Sequence, residues 1–462
     1  MGMEIKNKDF SKIVSLCKRR GFIFPGSEIY GGLANTYDFG PLGVEILNNI
    51  LDLWWKTFVK SREDMYGLDT SILMNPRVWE SSGHTRNFTD VLIDCRNCQL
   101  RTRADHLIED HFAKKGEKIS VEGKTTEELD RIIIGERIIC PKCGNHTFTP
   151  VRKFNLLFET NVGIVTTSQN KVYLRGEIAQ GMFVNFKNVM DTMRPKLPFG
   201  IAQKGKAFRN EITLGNFVFR TLEFNLAEFE YFFNPNKTDI NELFEYWKKE
   251  MEDFVVNLGV DRNKLRWRVH EEDERSHYSS RTEDLEYEFP FGFKEICGLA
   301  YRTDFDLKNH MEHSGVDLQY FDPETNEKFI PHVIEPTFGI NRLFLTCLTD
   351  AYEEDSEESR TILKLNESIS PYELAVFPLV KNKPEIVSKA TEVYQTLRKN
   401  YTVAFDSRGN IGKRYLSQDE IGTPYCVTID YQTLEDETVT IRNRDTKEQS
   451  RIKISEIINF LK

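Results

Sequence analysis

The most informative segment of this chain is Phe208-Arg209-Asn210-Glu211, with a turn at Gly215-Asn216 and a return strand Phe219-Arg220-Thr221-Leu222-Glu223-Phe224. In a strand–loop–strand arrangement, Arg209 would point its planar fork at a phosphate. Glu211 would brace the loop or accept a hydrogen bond from an adenine amino group, and Phe224 would offer a ring face to a purine. A plain hairpin with alternating charges explains the same pattern when the segment is considered alone.

Two further segments place polar residues where a ligand could be bound. The first is Ile334-Glu335-Pro336-Thr337-Phe338-Gly339-Ile340-Asn341-Arg342, and a helical pattern follows it. Gly339 lets the backbone approach a ligand closely, and Arg342 in the first helical turn can reach a nucleotide. The second is Leu174-Arg175-Gly176-Glu177-Ile178-Ala179-Gln180-Gly181, which enters a predicted amphipathic helix. Simpler explanations are a strand end with one exposed arginine and an ordinary helix start with an acidic first turn.

The strands around these segments predict an antiparallel sheet flanked by helices, which is an α+β architecture. Strand patterns occur at 206–208, 217–220, 228–233, 285–287, 294–301 and 332–335, often separated by short turns. The chain contains neither a phosphate-binding P-loop nor a dinucleotide fingerprint. A bound nucleotide would therefore be held by arginines on the sheet.

A second domain is predicted after the acidic run at 352–358, which is typical of a solvated linker or loop. We place the boundary near 359–371. Beyond it, strand patterns at 372–379, 401–405, 425–429 and 437–442 accompany a helical pattern at 386–397. Strands that alternate with helices describe a small α/β domain.

Length and composition exclude several classes of protein. The chain has 462 residues, a net charge of -10, 39% hydrophobic residues and 29% charged residues, as expected of a globular protein with two or three domains. The sequence shows no apolar run of bilayer length and no secretion signal, so we expect a cytoplasmic protein without a membrane partner. The pI of about 5.6 argues against nucleic-acid binding by bulk basicity. It leaves open binding through local patches such as Lys413-Arg414, with a shallow salt dependence.

Four of the eight cysteines form two Cys-x-x-Cys pairs. These are Cys95, Cys98, Cys140 and Cys143, and four thiolates suit tetrahedral zinc. Because such a site has no open position for water, the zinc would be structural. Two disulfides or coincidence are the alternatives, and His146 could replace one thiolate. The charged segment between the pairs predicts a solvated helical excursion.

Taken together, the three polar segments resemble motifs 2 and 3 of class II aminoacyl-tRNA synthetases. Pro76 stands where the motif 1 proline of the dimer interface would lie. The resemblance narrows to the homodimeric glycyl-tRNA synthetase family and covers nearly the whole chain. The segments that narrow it are Ser27-Glu28-Ile29-Tyr30-Gly31-Gly32, Tyr37-Asp38-Phe39-Gly40-Pro41-Leu42-Gly43, Arg103-Ala104-Asp105-His106, Arg302-Thr303-Asp304-Phe305-Asp306-Leu307 and Glu335-Pro336-Thr337.

This resemblance implies a class II antiparallel-sheet catalytic domain at 1–365 with a zinc-ribbon-like insertion at 95–148. It also implies a C-terminal α/β anticodon-binding domain at 370–462, whose most recognisable segment is Gly409-Asn410-Ile411-Gly412-Lys413-Arg414-Tyr415. The implied activity is the ATP-dependent attachment of glycine to tRNA(Gly) through a glycyl-adenylate. The implied partners are glycine, ATP, Mg²⁺, tRNA(Gly), structural zinc and a second copy of the chain.

The resemblance assigns Arg209, Glu211 and Arg342 as catalytic residues. Arg209 would hold the α-phosphate, Arg342 would cover the adenine and reach the γ-phosphate, and Glu295 would help to hold Mg²⁺. The full ATP-binding set comprises Arg209, Asn210, Glu211, Phe219, Arg220, Thr221, Leu222, Glu223, Phe224, Glu295, Ile296, Gly339, Ile340, Asn341 and Arg342.

Glycine would be bound through its ammonium group by Glu177, Glu228 and Glu335, with Arg302 and Thr337 closing the pocket. Steric walls would refuse larger amino acids, and no domain is left over for editing. The full glycine-binding set comprises Arg103, Glu177, Phe224, Asn225, Leu226, Ala227, Glu228, Arg302, Glu335, Pro336, Thr337, Phe338 and Gly339.

The chain departs from the family pattern at several of these positions. Leu222 stands where the family has a second arginine, Gly176 where it has proline, and Thr337 where it has serine. The loss of an arginine favours one alternative, a non-catalytic nucleic-acid-binding accessory protein that keeps the fold. The other alternative is a class II synthetase for a different amino acid, which the small acid-lined pocket disfavours.

Overall fold

The computed structural model describes residues 2–461, except 118, 122, 164–169, 213–214, 272–274, 277 and 356–359; for residues 2–9 it describes the backbone alone. Within these residues, none of the helices combines the length and hydropathy that crossing a bilayer requires.

Strands and helices alternate irregularly along the chain. The strands are β1 (Ile23–Pro25), β2 (Tyr37–Phe39), β3 (Met65–Gly67), β4 (Thr89–Asp94), β5 (Arg101–Arg103), β6 (Arg152–Asn155), β7 (Glu159–Asn161), β8 (Lys171–Tyr173), β9 (Phe199–Phe208), β10 (Glu223–Phe233), β11 (Leu265–Val269), β12 (Arg281–Phe289), β13 (Gly292–Thr303), β14 (Tyr320–Asp322), β15 (Glu327–Phe329), β16 (His332–Gly339), β17 (Tyr352–Asp355), β18 (Arg360–Leu363), β19 (Leu374–Pro378), β20 (Val403–Phe405), β21 (Tyr425–Ile429), β22 (Thr438–Asn443) and β23 (Gln449–Lys453). The helices are α1 (Gly2–Arg20), α2 (Pro41–Trp55), α3 (Pro76–Ser81), α4 (His84–Asn87), α5 (Ala104–Lys114), α6 (Thr126–Gly135), α7 (Ala179–Val184), α8 (Phe186–Met193), α9 (Ile240–Asn257), α10 (Phe305–Ser314), α11 (Ile340–Ala351), α12 (Pro384–Leu397), α13 (Ile411–Asp419), α14 (Thr433–Asp436) and α15 (Ile457–Phe460).

A seven-stranded sheet organises the first 370 residues. Its strand order is β11-β12-β13-β16-β10-β9-β3. All neighbouring strands are antiparallel except β3 and β9, which are parallel. The predicted strand segments at 206–208, 228–233, 285–287, 294–301 and 332–335 all lie within strands of this sheet. The prediction of an α+β antiparallel architecture is therefore confirmed.

The central strand β10 shows why the two faces of the sheet differ. Ala227, Phe229 and Tyr231 pack in an apolar core with side chains from α2, α9 and α11. Glu228 and Glu230 point to the opposite face, because successive side chains of a strand alternate. Both carboxyl groups are nevertheless buried. The polar face of the sheet is therefore covered, and it forms the floor of a site rather than an open surface.

Helix α11 is buried on nearly every side because it lies between the sheet and α2. Its first turn is attached to β10 by a polar contact, since Asn341 Oδ1 accepts hydrogen bonds from the backbone N of Asn225 at 3.1 Å and from its Nδ2 at 3.0 Å. This contact fixes the start of the helix, and with it Arg342, beside the polar face of the sheet.

Two local predictions were wrong. The segment 217–220 is not a strand, because Asn216 and Phe217 adopt left-handed φ angles of 63° and 59° and a 3-10 turn follows at Phe217–Phe219. Aromatic burial in the core drives that turn. Helix α7 is not amphipathic either: it is buried on both sides, and Gln180 within it is completely buried.

The four-cysteine insertion folds around its own small core. Helices α5 and α6 contribute Leu107, Ile108, Leu129 and Ile133 to this core, against Ile93 of β4. The N-terminus of α6 is closed by a reciprocal capping box between Thr125 and Glu128. The predicted helical character is confirmed, but the insertion is a packed unit rather than a fully solvated excursion.

The C-terminal sheet has the order β20-β19-β21-β22-β23, with β19 parallel to β20 and β21. Its core includes Leu374, Val427 and Ile441 with α12. This core is separate from that of the seven-stranded sheet, which Ile421 of the C-terminal unit joins. The described part of the acidic run is not a solvated linker, because 352–355 forms β17 and pairs with β18. Its remainder, 356–358, and residue 359 lie outside the described residues.

A buried charge cluster attaches the C-terminal unit to β18. Asp419 of α13 forms an ion pair with Arg360, whose Nε lies 2.8 Å from Oδ2, and accepts hydrogen bonds from both terminal nitrogens of Arg442 at 2.9 and 3.2 Å. All three side chains are buried. Arg414 is also buried, and it donates to the backbone carbonyls of Pro378 and Gly409. Arg414 is therefore not available to the basic patch that was predicted at Lys413-Arg414.

Candidate active site

A cavity opens on the polar face of the sheet, and its empty space, together with the solvent at its mouth, amounts to about 1150 Å³. Its floor comes from β10, β12, β13 and β16, and its rim comes from the loop before β10 and the first turn of α11. The sequence-predicted residues that line it are Glu177, Arg209, Glu211, Phe219, Arg220, Thr221, Phe224, Asn225, Leu226, Glu228, Glu295, Glu335, Thr337, Gly339, Asn341 and Arg342. Carboxyl groups outnumber guanidinium groups in this lining, which favours cationic ligands.

Strand register places the polar residues in rows across the floor. Glu228 lies opposite Gln203 on one side and Thr337 on the other, and the row continues through Gly298 to Asp284. Thr337 Oγ1 donates to Glu228 Oε2 at 3.2 Å. The residues of this row come from five different strands, so the antiparallel register alone brings them together.

Arg302 lies behind the buried end of the cavity that Glu177, Glu228 and Glu335 line, which we call the closed end, and it binds carboxyl groups there. Its guanidinium donates to both carboxyl oxygens of Asp306, at 2.8 and 2.9 Å, and to Glu335 Oε1 at 2.8 Å. Its Nη2 lies 3.9 Å from Glu177 Oε1, and its Cζ lies 3.7 Å from the ring centroid of Tyr278. Arg302 is completely buried and does not contact the open volume. It therefore positions carboxylates rather than closing the pocket.

Glu177 belongs to a buried hydrogen-bonded chain. Gln180 Nε2 donates to Glu177 Oε1 at 3.0 Å and to Asp306 Oδ1 at 2.9 Å. His84 Nε2 lies 3.1 Å from Glu177 Oε2, and His84 Nδ1 lies 2.8 Å from Ser82 Oγ. Burial would raise the pKa of Glu177, but His84 and Arg302 outweigh it and hold that pKa well below the usual value. Glu177 is thus a fixed negative charge.

The other two predicted carboxyl groups behave differently. Burial raises the pKa of Glu335 to about 7, although Arg302 opposes the shift. Burial also raises the pKa of Glu228 well above its usual value, and the charges of Glu335 and Glu177 add to the shift. Glu228 Oε1 is buried without a hydrogen-bond partner among the described residues. A cation entering this end would relieve the repulsion among the three carboxyl groups.

The open end of the cavity carries the arginines. Arg209 Nε donates to the carbonyl of Gly176 at 3.0 Å, and its Cζ lies 5.1 Å from the Phe88 ring and 5.3 Å from the Phe224 ring. Arg342 Nη1 lies 2.9 Å from Glu295 Oε2. Both guanidinium groups thus contact aromatic or acidic side chains, and both residues still line the cavity. The cavity has an acidic closed end and a mixed, arginine-bearing open end.

Comparison with known proteins assigns this arrangement to a family. Residues 373–462 match the model of the anticodon binding domain. The chain is 52% identical over 452 residues to the glycine–tRNA ligase of Caldanaerobacter subterraneus subsp. tengcongensis, covering 97% of each chain. It is 53% identical over 458 residues to that of Clostridium tetani, covering 98% of each. The chain belongs to the glycine–tRNA ligase family.

The fold agrees with this membership. The structure is similar to that of the prolyl-tRNA synthetase of Cryptosporidium parvum complexed with halofuginone and AMPPNP, with a TM-score of 0.63 at 15% identity. The match covers 97% of this chain and 76% of the other. At this identity the likeness concerns the fold, and it confirms the class II architecture predicted from the sequence motifs.

Not every residue that the glycine–tRNA ligase resemblance assigned to the site reaches the cavity. Ala227, Ile296, Phe338 and Ile340 face the apolar core, because they alternate with cavity-facing neighbours or start the buried helix α11. Arg103 is held by Asp90 and Asp105 away from the open volume. The full set of predicted residues that do not line the cavity is Arg103, Asn210, Leu222, Glu223, Ala227, Ile296, Arg302, Pro336, Phe338 and Ile340.

Two departures from the glycine–tRNA ligase pattern acquire a structural meaning. Leu222, which stands in place of the family's arginine, forms no part of the cavity wall. A Cβ atom on Gly176 would lie 2.9 Å from Phe88 and 3.0 Å from Leu157. Here the absence of a side chain at 176 accommodates the Phe88 ring, against which Arg209 is stacked.

Eight further residues that line the cavity were not predicted from the sequence: His270, Ser276, Tyr278, Thr282, Asp284, Gly298, Leu299 and Ala300. Strand alternation could have identified Thr282 and Asp284 as neighbours on one face of β12. Tyr278 lies in an irregular segment that carries no periodic signal. Its position became evident only from the stacking against Arg302.

The cysteine pairs converge as the spacing predicted. The Sγ atoms of Cys95, Cys98, Cys140 and Cys143 lie within 4.8 Å of one another. The Cys95–Cys143 and Cys98–Cys140 sulfur distances are both 3.6 Å. All eight cysteines of the chain are described, and each is a free thiol, so the disulfide alternative is not supported. His146 is exposed and is not part of the cluster.

Proposed function

We propose that this cavity joins glycine to ATP and that the activated glycine is then transferred to tRNA(Gly). The observation that carries the proposal is the polarity of one cavity: Glu177, Glu228 and Glu335 at its closed end, and Arg209 and Arg342 at its open end. An amino acid enters with its ammonium group toward the acids, so that its carboxylate faces the arginines.

The closed end suits a small ammonium ion. Glu177 supplies a permanent negative charge, and Glu228 has an oxygen without a partner among the described residues. Glu335 is held in place by Arg302. Thr337 stands beside Glu228 and adds a methyl group to the wall, which favours glycine over amino acids with a side chain.

The open end suits a nucleotide triphosphate. Arg209 would bind the α-phosphate and stabilise the charge that develops when the glycine carboxylate attacks phosphorus and pyrophosphate leaves. Phe224 offers a stacking face for the adenine, and Arg342 reaches the phosphates from the start of α11. This step demands positioning more than covalent catalysis by the protein.

Mg²⁺ fits the same end by its donor chemistry. Glu295 and Asp284 both line the cavity and offer the carboxylate oxygens that this ion prefers. Desolvation raises the pKa of Glu295, but the Arg342 and Arg209 guanidiniums outweigh it and hold that pKa below the usual value. When bound, the ion would neutralise phosphate charge.

The C-terminal domain at 370–462 would contact the anticodon of tRNA(Gly). Its family match supports this role. Lys413 is exposed at the start of α13 and can meet a phosphate, whereas Arg414 serves the fold. Binding would therefore depend on scattered local cations rather than on a broad basic face.

A homodimer is the assembly that best fits the region around Pro76. Pro76 begins α3, which Asn75 caps through its side chain. Apolar side chains are exposed nearby, among them Leu73, Val184 and Val316. A second copy of the chain would cover this surface.

The test of the proposed activity is exchange of labelled pyrophosphate into ATP. With glycine and Mg²⁺, the purified protein is expected to catalyse exchange, and omission of glycine should abolish it. Equal exchange with alanine or serine would favour a synthetase for another amino acid. Absence of exchange with every amino acid would favour the non-catalytic accessory protein.

The four thiolates are proposed to hold one structural zinc ion per chain, because the donor set is complete and leaves no open position. Zinc would tie the two Cys-x-x-Cys turns together and thereby stabilise the insertion. It would take no part in the chemistry of the cavity.

Replacement of one of these cysteines should remove the metal. Elemental analysis is expected to find about one zinc per wild-type chain and markedly less in Cys140→Ser. Cys426→Ala removes a buried cysteine outside the cluster and should keep the wild-type zinc content. Full zinc in Cys140→Ser would contradict the four-cysteine site.

A further inference from the structure

Glu230 is a buried carboxyl group to which neither the sequence motifs nor the proposed mechanism gives a role. It lies on β10, two residues after Glu228, and therefore on the same face of the sheet. It is completely buried, and neither of its carboxyl oxygens has a hydrogen-bond partner among the described residues. It does not line the cavity. Its carboxyl group lies next to those of Glu228 and Glu335, which do line the cavity.

Strand register places Glu230 beside Glu335. Glu228 pairs with Thr337 and Tyr231 pairs with Ile334 across β10 and β16, so Glu230 faces Glu335 between them. Carboxyl oxygens of Glu228, Glu230 and Glu335 all lie within 4.8 Å of one another. Such directly opposed side chains are in contact range.

The positive charge nearby is already engaged. The Arg302 guanidinium binds Asp306 with two nitrogens and Glu335 with the third. The charged groups that act on Glu230 are Glu335, Arg302, Glu228 and Asp306, of which three are acids. A buried carboxylate without its own cation is costly, and two adjacent carboxylates cannot both ionise cheaply.

These conditions favour a neutral Glu230. Burial, followed by the charge of Glu335, raises the pKa of Glu230 well above its usual value. A protonated carboxyl group has one O–H donor. The nearest cross-strand acceptor is Glu335, whose Oε1 already accepts from Arg302.

We propose that Glu230 is a positioning residue that remains a neutral carboxylic acid and donates its O–H to Glu335. Glu335 would then be held from two sides, by Arg302 and by Glu230, with its remaining lone pairs directed at the substrate ammonium. Glu228 Oε1 would stay available as the second acceptor. This inference rests on the proposed glycine-activating function of the cavity.

Two substitutions separate this role from simple filling of space. Glu230→Gln keeps the shape, the neutrality and a donor, so the KM for glycine should stay within about threefold of wild type. Glu230→Leu keeps a similar volume but removes the donor, and should raise that KM about tenfold or more, as expected for a lost hydrogen bond to a charged group. The KM for ATP should change less than about twofold in both variants, because Arg209 and Arg342 are untouched.

The control is Glu283→Gln. Glu283 is a buried carboxyl on the opposite face of β12, paired with Lys248 at 2.8 Å and Arg281 at 2.6 Å. Its replacement reports on the general effect of neutralising a buried acid in this sheet. Both KM values should remain close to wild type.

The measurements are glycine-dependent pyrophosphate exchange and glycine binding by calorimetry. The proposal is overturned if Glu230→Gln weakens glycine binding as much as Glu230→Leu, since an ionised Glu230 would then be needed, or if Glu230→Leu leaves it unchanged. If Glu230→Leu does not fold, the pH profile of the glycine KM in Glu230→Gln decides whether Glu230 is neutral. A profile that superimposes on wild type between about pH 6 and 9 supports a permanently neutral Glu230, and a shifted profile refutes it.

Failure of the proposed function is distinguishable from failure of this inference. Wild-type protein without any glycine-dependent exchange contradicts the function. Differences among the variants in calorimetric glycine binding test Glu230 separately, because binding does not require turnover.

Discussion

Arg302→Ala is expected to lower the free energy of unfolding of the full-length protein by about 3–5 kcal/mol. Arg302 is completely buried and makes hydrogen bonds of 2.8–2.9 Å to Asp306 and Glu335. Its removal leaves two buried carboxyl groups without their cation, with Glu177 close by. Denaturant unfolding followed by intrinsic fluorescence measures the change.

Two further variants serve as comparisons for Arg302→Ala. Arg302→Lys keeps the charge but lacks the planar fork, so it should lie between wild type and Arg302→Ala. Lys249→Ala breaks an exposed ion pair with Asp253 on α9 and should cost only about 0.5 kcal/mol or less. A loss below about 1 kcal/mol in Arg302→Ala would show that the carboxyl cluster does not depend on this guanidinium.

Arg209→Ala is expected to reduce the rate of glycine-dependent pyrophosphate exchange by about 10²–10³-fold. Arg209 lines the open end of the cavity, and the hydrogen bond from its Nε to Gly176 holds the guanidinium there. The rings of Phe88 and Phe224, against which the guanidinium is stacked, further restrict its position. A fixed cation at this position stabilises charge that develops on the α-phosphate without reorganising during the reaction.

Arg266→Ala is the matched control for that experiment. Arg266 also stacks on an aromatic ring, with its Cζ 3.9 Å from the Phe293 centroid, and pairs with Glu286 at 2.7 Å, but it does not line the cavity. Its replacement should leave exchange within about twofold of wild type. Exchange by Arg209→Ala at the rate of this control would contradict the assigned role of Arg209.

The short motifs were sufficient to predict the architecture and to select residues that meet in one cavity. The hairpin around Arg209, the segment that ends at Arg342, and the acids Glu177, Glu228 and Glu335 all converge on one cavity. They could be predicted because each motif couples a local backbone requirement to a polar side chain. The cysteine cluster could be predicted for the same reason, since a Cys-x-x-Cys turn specifies a local geometry in which both thiolates can bind one metal ion.

The prediction was weakest where a whole run of residues was assigned to the site. Ala227 and Phe338 were included because they lie between functional neighbours, but strand alternation turns them into the core. Arg302 was expected in the pocket wall and instead lies behind it. The segment at 217–220 has strand-forming residues, but left-handed φ angles and burial of its aromatic side chains turn it into a 3-10 turn.

Sequence alone established the family resemblance, the division into a larger α+β part and a smaller α/β part, and the residue types of the site, because these depend on local patterns. It could not establish which carboxyl groups carry charge. That property depends on contacts between residues far apart in the chain, such as Arg302 with Glu335 or Glu230 beside Glu335. Burial and cross-strand register set the electrostatics of this cavity, and both exist only once the sheet has formed.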